Sequence, residues 1–92
     1  MIKSFKSKAL EKLYIFSDQS KINPNHGPKI LRILDRLDAS VNSQDMSLPG
    51  YQLHQLKGSA KGVWAVKASG NWRITFEFEG NDAINPDYID CH

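Results

Sequence analysis

The sequence predicts an α+β domain with elements in the order β-α-α-β-β-β-β, and three observations carry that prediction. In the first half, apolar residues recur every three or four positions, as on one face of a helix: Leu10, Leu13 and Tyr14, then Ile30, Leu34, Leu37 and Val41. In the second half the period drops to two, most clearly where Trp72, Ile74, Phe76 and Phe78 alternate with Arg73, Thr75, Glu77 and Glu79. Between the alternating stretches stand Ser69-Gly70-Asn71 and Gly80-Asn81-Asp82, turn residues in numbers that suit hairpins.

Taken in order, Ile2 to Phe5 predict a short opening strand, and Ser7 supplies an N-cap for the first helix. That helix buries Leu10, Leu13 and Tyr14 and ends where Ser17, Asp18, Gln19 and Ser20 break its pattern. Asn23-Pro24-Asn25-His26-Gly27 has the composition of a loop, in which His26 reads as an ordinary surface residue. Pro28 then suits the first turn of the second helix, because its missing N–H is one the helix would leave unsatisfied there anyway. Lys29, Arg32 and Arg36 lie opposite the apolar stripe of that helix, and the two helices form an antiparallel hairpin for one face of the sheet. Asn42 to Gly50 is a polar connector. Strands follow at Tyr51 to Leu56, Val63 to Ala68, Trp72 to Glu79 and Ala83 to Ile89, the last interrupted at Pro86, which has no N–H to give a ladder.

A chain of 92 residues with 40% hydrophobic content has room for a single core, so residues 1–92 are expected to form one domain. A net charge of +2 permits a polyanionic partner without requiring one. One cysteine, Cys91, excludes an internal disulfide and suits a reducing compartment, and the absence of a long apolar run argues against a membrane span or signal peptide. The expected location is the cytoplasm.

The central strand turns one face to the core and carries Arg73 on the other, on a rigid platform. Periodicity alone also allows Arg73 to be a solvated residue paired with Glu77 or a cross-strand acid. His54 with Lys57, Arg73, and the terminal Asp90-Cys91-His92 together supply two imidazoles, two cations and a carboxylate. That set suits cleavage of an RNA phosphodiester: a base takes the proton of the 2'-hydroxyl, a cation stabilises the charge gathering on phosphorus, and an acid protonates the departing 5'-oxygen. Histidine, near 6.5 when unperturbed, serves either proton-transfer role at neutral pH, and no metal or other cofactor is needed. His54, Asp90, Cys91 and His92 are also zinc-ligating types, but their spacing matches no recognised zinc motif.

Met1-Ile-Lys-Ser-Phe-Lys6, Tyr51-Gln-Leu-His-Gln-Leu-Lys-Gly58, Asn71-Trp-Arg-Ile-Thr-Phe-Glu-Phe78 and the ending Asp90-Cys-His92 resemble the HigB toxins of the RelE/ParE superfamily, essentially end to end. The resemblance implies a RelE-like microbial ribonuclease fold and a toxin of a type II toxin-antitoxin system. It implies a ribosome-dependent endoribonuclease that cuts mRNA in the A site and arrests growth. Its partners would be the ribosome, mRNA and a HigA-like helix-turn-helix antitoxin, with operator DNA reached only through that antitoxin.

Carried over by motif, His54, Arg73, Asp90 and His92 are the catalytic positions, and Lys57, Arg73 and Cys91 the RNA-binding ones. His54 and His92 would form the proton-transfer pair, Arg73 and Lys57 would neutralise the phosphate, and Asp90 would orient a histidine or accept a proton. Lys29, Arg32 and Arg36 can either rest on ribosomal RNA phosphates or be solvated. Family members usually end Asp-Tyr-His, whereas Cys91 holds the tyrosine's place here. A thiol lacks the aromatic face that contributes about 1 to 3 kcal/mol per stacked base. Two alternatives stay open: a ParE-like toxin that poisons gyrase, and a catalytically weakened homologue retained for operon regulation with its antitoxin.

Overall fold

Ser7, in extended conformation, opens helix α1 (Lys8–Phe16) by accepting a hydrogen bond from the Leu10 amide at 3.2 Å, the N-cap expected of it. The structure, a computed structural model, describes residues 1–56 and 62–90, so the readings made for Lys57, Cys91 and His92 lie outside the described residues. Helix α1 ends at Ser17, which takes left-handed backbone angles (φ 55°). Helix α2 (Gly27–Ala39) has Pro28 in its first turn and buries Ile30, Ile33, Leu34 and Leu37. Val41 was expected to continue this stripe, but the helix stops two residues before it and Val41 is exposed. Ser40 is buried in its stead, its hydroxyl donating to the Arg36 carbonyl at 2.7 Å. The connector that follows contains one 3-10 turn (Ser43–Met46), capped by Asn42, and adds Met46 to the core.

Among the described residues, four antiparallel strands form one sheet in the order β1-β2-β3-β4: β1 (His54–Gln55), β2 (Trp64–Ser69), β3 (Trp72–Glu79) and β4 (Asp82–Asp90). Both expected hairpins are present, with Gly70 (φ 56°) and Gly80 (φ 63°) taking turn conformations that side chains disfavour. The two helices lie against one face of the sheet, and their apolar residues meet Val66, Ala68, Ile74 and Phe76 in the main core.

Three strands differ from expectation, each for a local reason. The stretch from Tyr51 to Leu56 yields only the two-residue β1, because Gln52 is turned to φ 51° and breaks the extended backbone. Ile2 to Phe5 do not form a regular strand. Ile2 makes one parallel bridge to Ala83, and the segment then follows the edge of β4 through Lys3 N to Ala83 O (2.9 Å), Asn85 N to Ser4 O (3.0 Å) and Ser7 N to Pro86 O (3.1 Å).

Strand β4 is continuous, and the expected interruption at Pro86 takes the form of a bulge. The register against β3 shifts between Thr75 and Glu77, with Asn85 at φ 55° and Pro86 buried. An unshifted ladder would set Arg73 opposite Tyr88. The bulge sets it opposite Ile89 and sends Tyr88 to the helix side, opposite Ile74.

Candidate active site

The outer face of the sheet, away from the helices, is fixed by the register. Lys67, Arg73 and Ile89 make one row across β2, β3 and β4, and Ala65, Thr75 and Asp87 make the next, which β1 extends with His54 opposite Ala65. His54 and Arg73 therefore share a face, two strand spacings apart, roughly 10 Å across the sheet. His54 is exposed, and its Nδ1 lies 3.0 Å from the Gln52 carbonyl, a contact made possible by the same left-handed turn that shortens β1.

Arg73 is half-buried at the start of β3 and its Nη1 donates to the carbonyls of Gly70 (2.7 Å) and Trp72 (3.1 Å). These bonds tie the guanidinium to the turn between β2 and β3 and hold one edge of its planar fork in place. The expected alternative partner, Glu77, instead accepts from Asn85 Nδ2 at 3.3 Å, across the β4 bulge. Lys67 stands directly opposite Arg73. Like charges facing each other across two strands repel, so this pair favours an anion between or above them. Sequence reasoning did not single out Lys67, and the hairpin register is what brings it beside Arg73.

Asp90 closes β4 opposite Trp72, one position out of step with Arg73. The helix side of that corner holds a cluster that sequence reasoning missed. His26, read as ordinary surface, is 7% exposed: its Nδ1 lies 2.5 Å from the Tyr88 hydroxyl, and its ring stands edge-on to Trp72 and Tyr88. Trp72 and Tyr88 stack with ring centroids 4.4 Å apart. Burial raises the Tyr88 phenol above its ordinary value; a contact to the Asn23 backbone opposes this and the Asp90 carboxylate adds to it.

The basic residues of α2 divide. Arg36 Nε donates to the Asp45 carbonyl at 2.9 Å and fastens the connector to the helix, while Arg32 is exposed and Lys29 half-buried. Among the described residues, no group of three or more His, Cys, Asp or Glu side chains is gathered to hold a metal ion, and no helix is long and apolar enough to cross a membrane.

The model of RelE-like toxins of the type II toxin-antitoxin system HigB matches residues 3–92. The chain belongs to the HigB-like toxin family. Among curated relatives, the Endoribonuclease HigB of Proteus vulgaris is 36% identical over 92 residues, spanning all of both chains. The Toxin HigB-1 of Vibrio cholerae is 30% identical over 94 residues, covering all of this chain and 98% of its own. An uncharacterized protein of Haemophilus influenzae is 29% identical over 90 residues, covering 96% and 88%. The two helices and the four-stranded antiparallel sheet are consistent with the RelE-like fold that membership in the HigB-like family implies, and a type II toxin has an antitoxin as its partner.

Proposed function

We propose that this HigB-like toxin is a cytoplasmic, metal-independent endoribonuclease that enters the ribosomal A site and cuts mRNA by attack of a 2'-hydroxyl on the adjoining phosphate. The observation that supports this reading best is the cationic row on the outer face, where Lys67 faces Arg73 and the Arg73 guanidinium is held by two backbone carbonyls. A cation fixed before the substrate arrives costs no reorganisation as charge develops on the phosphoryl oxygens. In this reading Arg73, with Lys67 and Lys57, neutralises the phosphate, and His54 and His92 exchange protons with the 2'-hydroxyl and the departing 5'-oxygen. Asp90 orients a histidine or accepts a proton. The name of the Proteus vulgaris relative supports the same activity. A HigA-like antitoxin, the ribosome and mRNA are its partners, with Lys29 and Arg32 facing ribosomal RNA.

The test is to map mRNA 5'-ends on translating ribosomes incubated with the purified protein and with its Arg73→Ala and His92→Ala variants. New ends within codons, dependent on the ribosome and reduced about 100- to 1000-fold by Arg73→Ala, are the expected result. Ends unchanged by both substitutions would sink the assignment of these residues. Cys91 in the family's tyrosine position favours reduced turnover, so Cys91→Tyr is expected to raise cleavage. Silence from both forms, with DNA supercoiling by gyrase inhibited, would replace the ribonuclease by a gyrase poison.

A further inference from the structure

An N-cap position is ordinarily filled by a residue whose side chain accepts a bond from the helix, yet His26 makes no side-chain cap to α2. Its ring is committed to the sheet, hydrogen-bonded to the Tyr88 hydroxyl and set edge-on against both stacked aromatics. The loop before it is built to present it: Asn23 Oδ1 accepts from the Asn25 amide and the Asn23 carbonyl accepts from the His26 amide at 2.8 Å.

The two rings it touches sit beside the candidate site on separate strands. Trp72 precedes Arg73, accepts a bond from its guanidinium and stands opposite Asp90, while Tyr88 lies two residues before Asp90. Strand β4 needs such a pin. Its register against β3 is interrupted by the bulge at Asn85, so the ladder from Asp82 to Ile84 does not dictate the pairing of Asp87 to Asp90. A slip of one residue past the bulge would exchange the faces of Tyr88, Ile89 and Asp90. Stacking alone resists such a slip weakly, because offset rings slide, whereas a hydrogen bond between a buried imidazole and a phenol has a defined direction and length.

We infer that His26 and Tyr88 are positioning residues: their bond, made on the helix side, fixes the register of β4 beyond its bulge and so the place from which that strand presents its end to Arg73. The catalytic part of this inference rests on the ribonuclease reading, and the structural part does not.

Tyr88→Phe keeps the ring and its stack while deleting the hydroxyl, and His26→Asn keeps a polar atom near the Nδ1 position and caps helices well. Two measurements are made on folded, full-length protein: amide exchange by NMR, and single-turnover mRNA cleavage over a series of ribosome concentrations. Tyr88→Phe is expected to speed exchange at Asp87 and Ile89, the residues beyond the bulge whose amides face β3, by about ten-fold, the upper range for one neutral hydrogen bond, with Val66 and Ile74 unaffected. Cleavage at saturating ribosomes should fall by about ten-fold at an unchanged half-saturation point. His26→Ala should do the same, the double variant should be no worse than either single one, and His26→Asn should recover part of the loss.

Wild-type exchange at both residues in folded Tyr88→Phe overturns the inference, as does undiminished cleavage in an otherwise active protein or additive losses in the double variant. Should the wild type itself cleave nothing, the ribonuclease reading fails, and exchange alone then decides whether the bond sets the register.

Discussion

Tyr14 shows how much a single side chain depends on what the fold places around it. Half-buried on α1, its phenol is pushed up to about 12, first by burial and then by the Asp38 and Asp35 carboxylates of α2. An unfolded chain gives up this proton near 10, so the native state holds it where the unfolded state does not. The stabilisation is complete below pH 10 and is lost as pH rises towards 12. Ultraviolet titration should show one tyrosine ionising with a midpoint near 12, and Tyr14→Phe should flatten the fall of stability between those values. That Tyr14 belongs to the packed face of α1 was legible from its spacing, but the acids beside it were not, since they come from another helix. His26 was misread for the same reason. An isolated histidine in a loop has no period, and its partner Tyr88 is 62 residues away. The shared face of His54 and Arg73 rests on strand register, which no single stretch of sequence reveals, although the outward setting of Arg73 followed from alternation alone.

At the level of elements, the departures from regularity among the described residues sit at three with left-handed backbones that are not glycine: Ser17, Gln52 and Asn85. Ser17 caps α1, its amide bonded to the Lys12 carbonyl, and glycine fits that conformation better. Ser17→Gly should stabilise the protein by up to about 1 kcal/mol, seen as a rise in Tm of up to roughly 4 to 8 °C. Asn85 is one of the few types that enter this region readily, and its side chain is anchored to Ser4 and Glu77 on the two sides of β4. Asn85→Val should cost about 2 kcal/mol or more, measured by the urea midpoint, while Asn85→Gly should cost far less. Both helices and both hairpins were legible because amphipathic spacing and turn residues are local signals. Pro86 marked the position of an irregularity but not its kind. A bulge and a break share that composition, and only the pairing with β3 distinguishes them, with opposite consequences for the face on which Tyr88 falls.

Across the whole molecule, one core joins the two helices to the sheet, with Phe76 among its largest fully buried side chains. Phe76→Ala should cost about 3 to 5 kcal/mol, a large part of the 5 to 15 kcal/mol typical of a domain, and so should leave the toxin partly unfolded at growth temperature. The family and the α+β class were legible end to end, because motifs from the first to the last segment stand in the family's order. The strap from Lys3 to Ser7 along β4 adds a temporal dimension. Ser4 bonds to Asn85, 81 residues later in the chain, so the backbone of this strap has no edge to join until β4 has been translated. Nascent chains halted before Asp82 should remain open to limited proteolysis, and chains extended past Asp90 on a linker should become resistant. A toxin with this topology cannot complete its fold until β4 has left the ribosome, which leaves that interval for an antitoxin to be at hand.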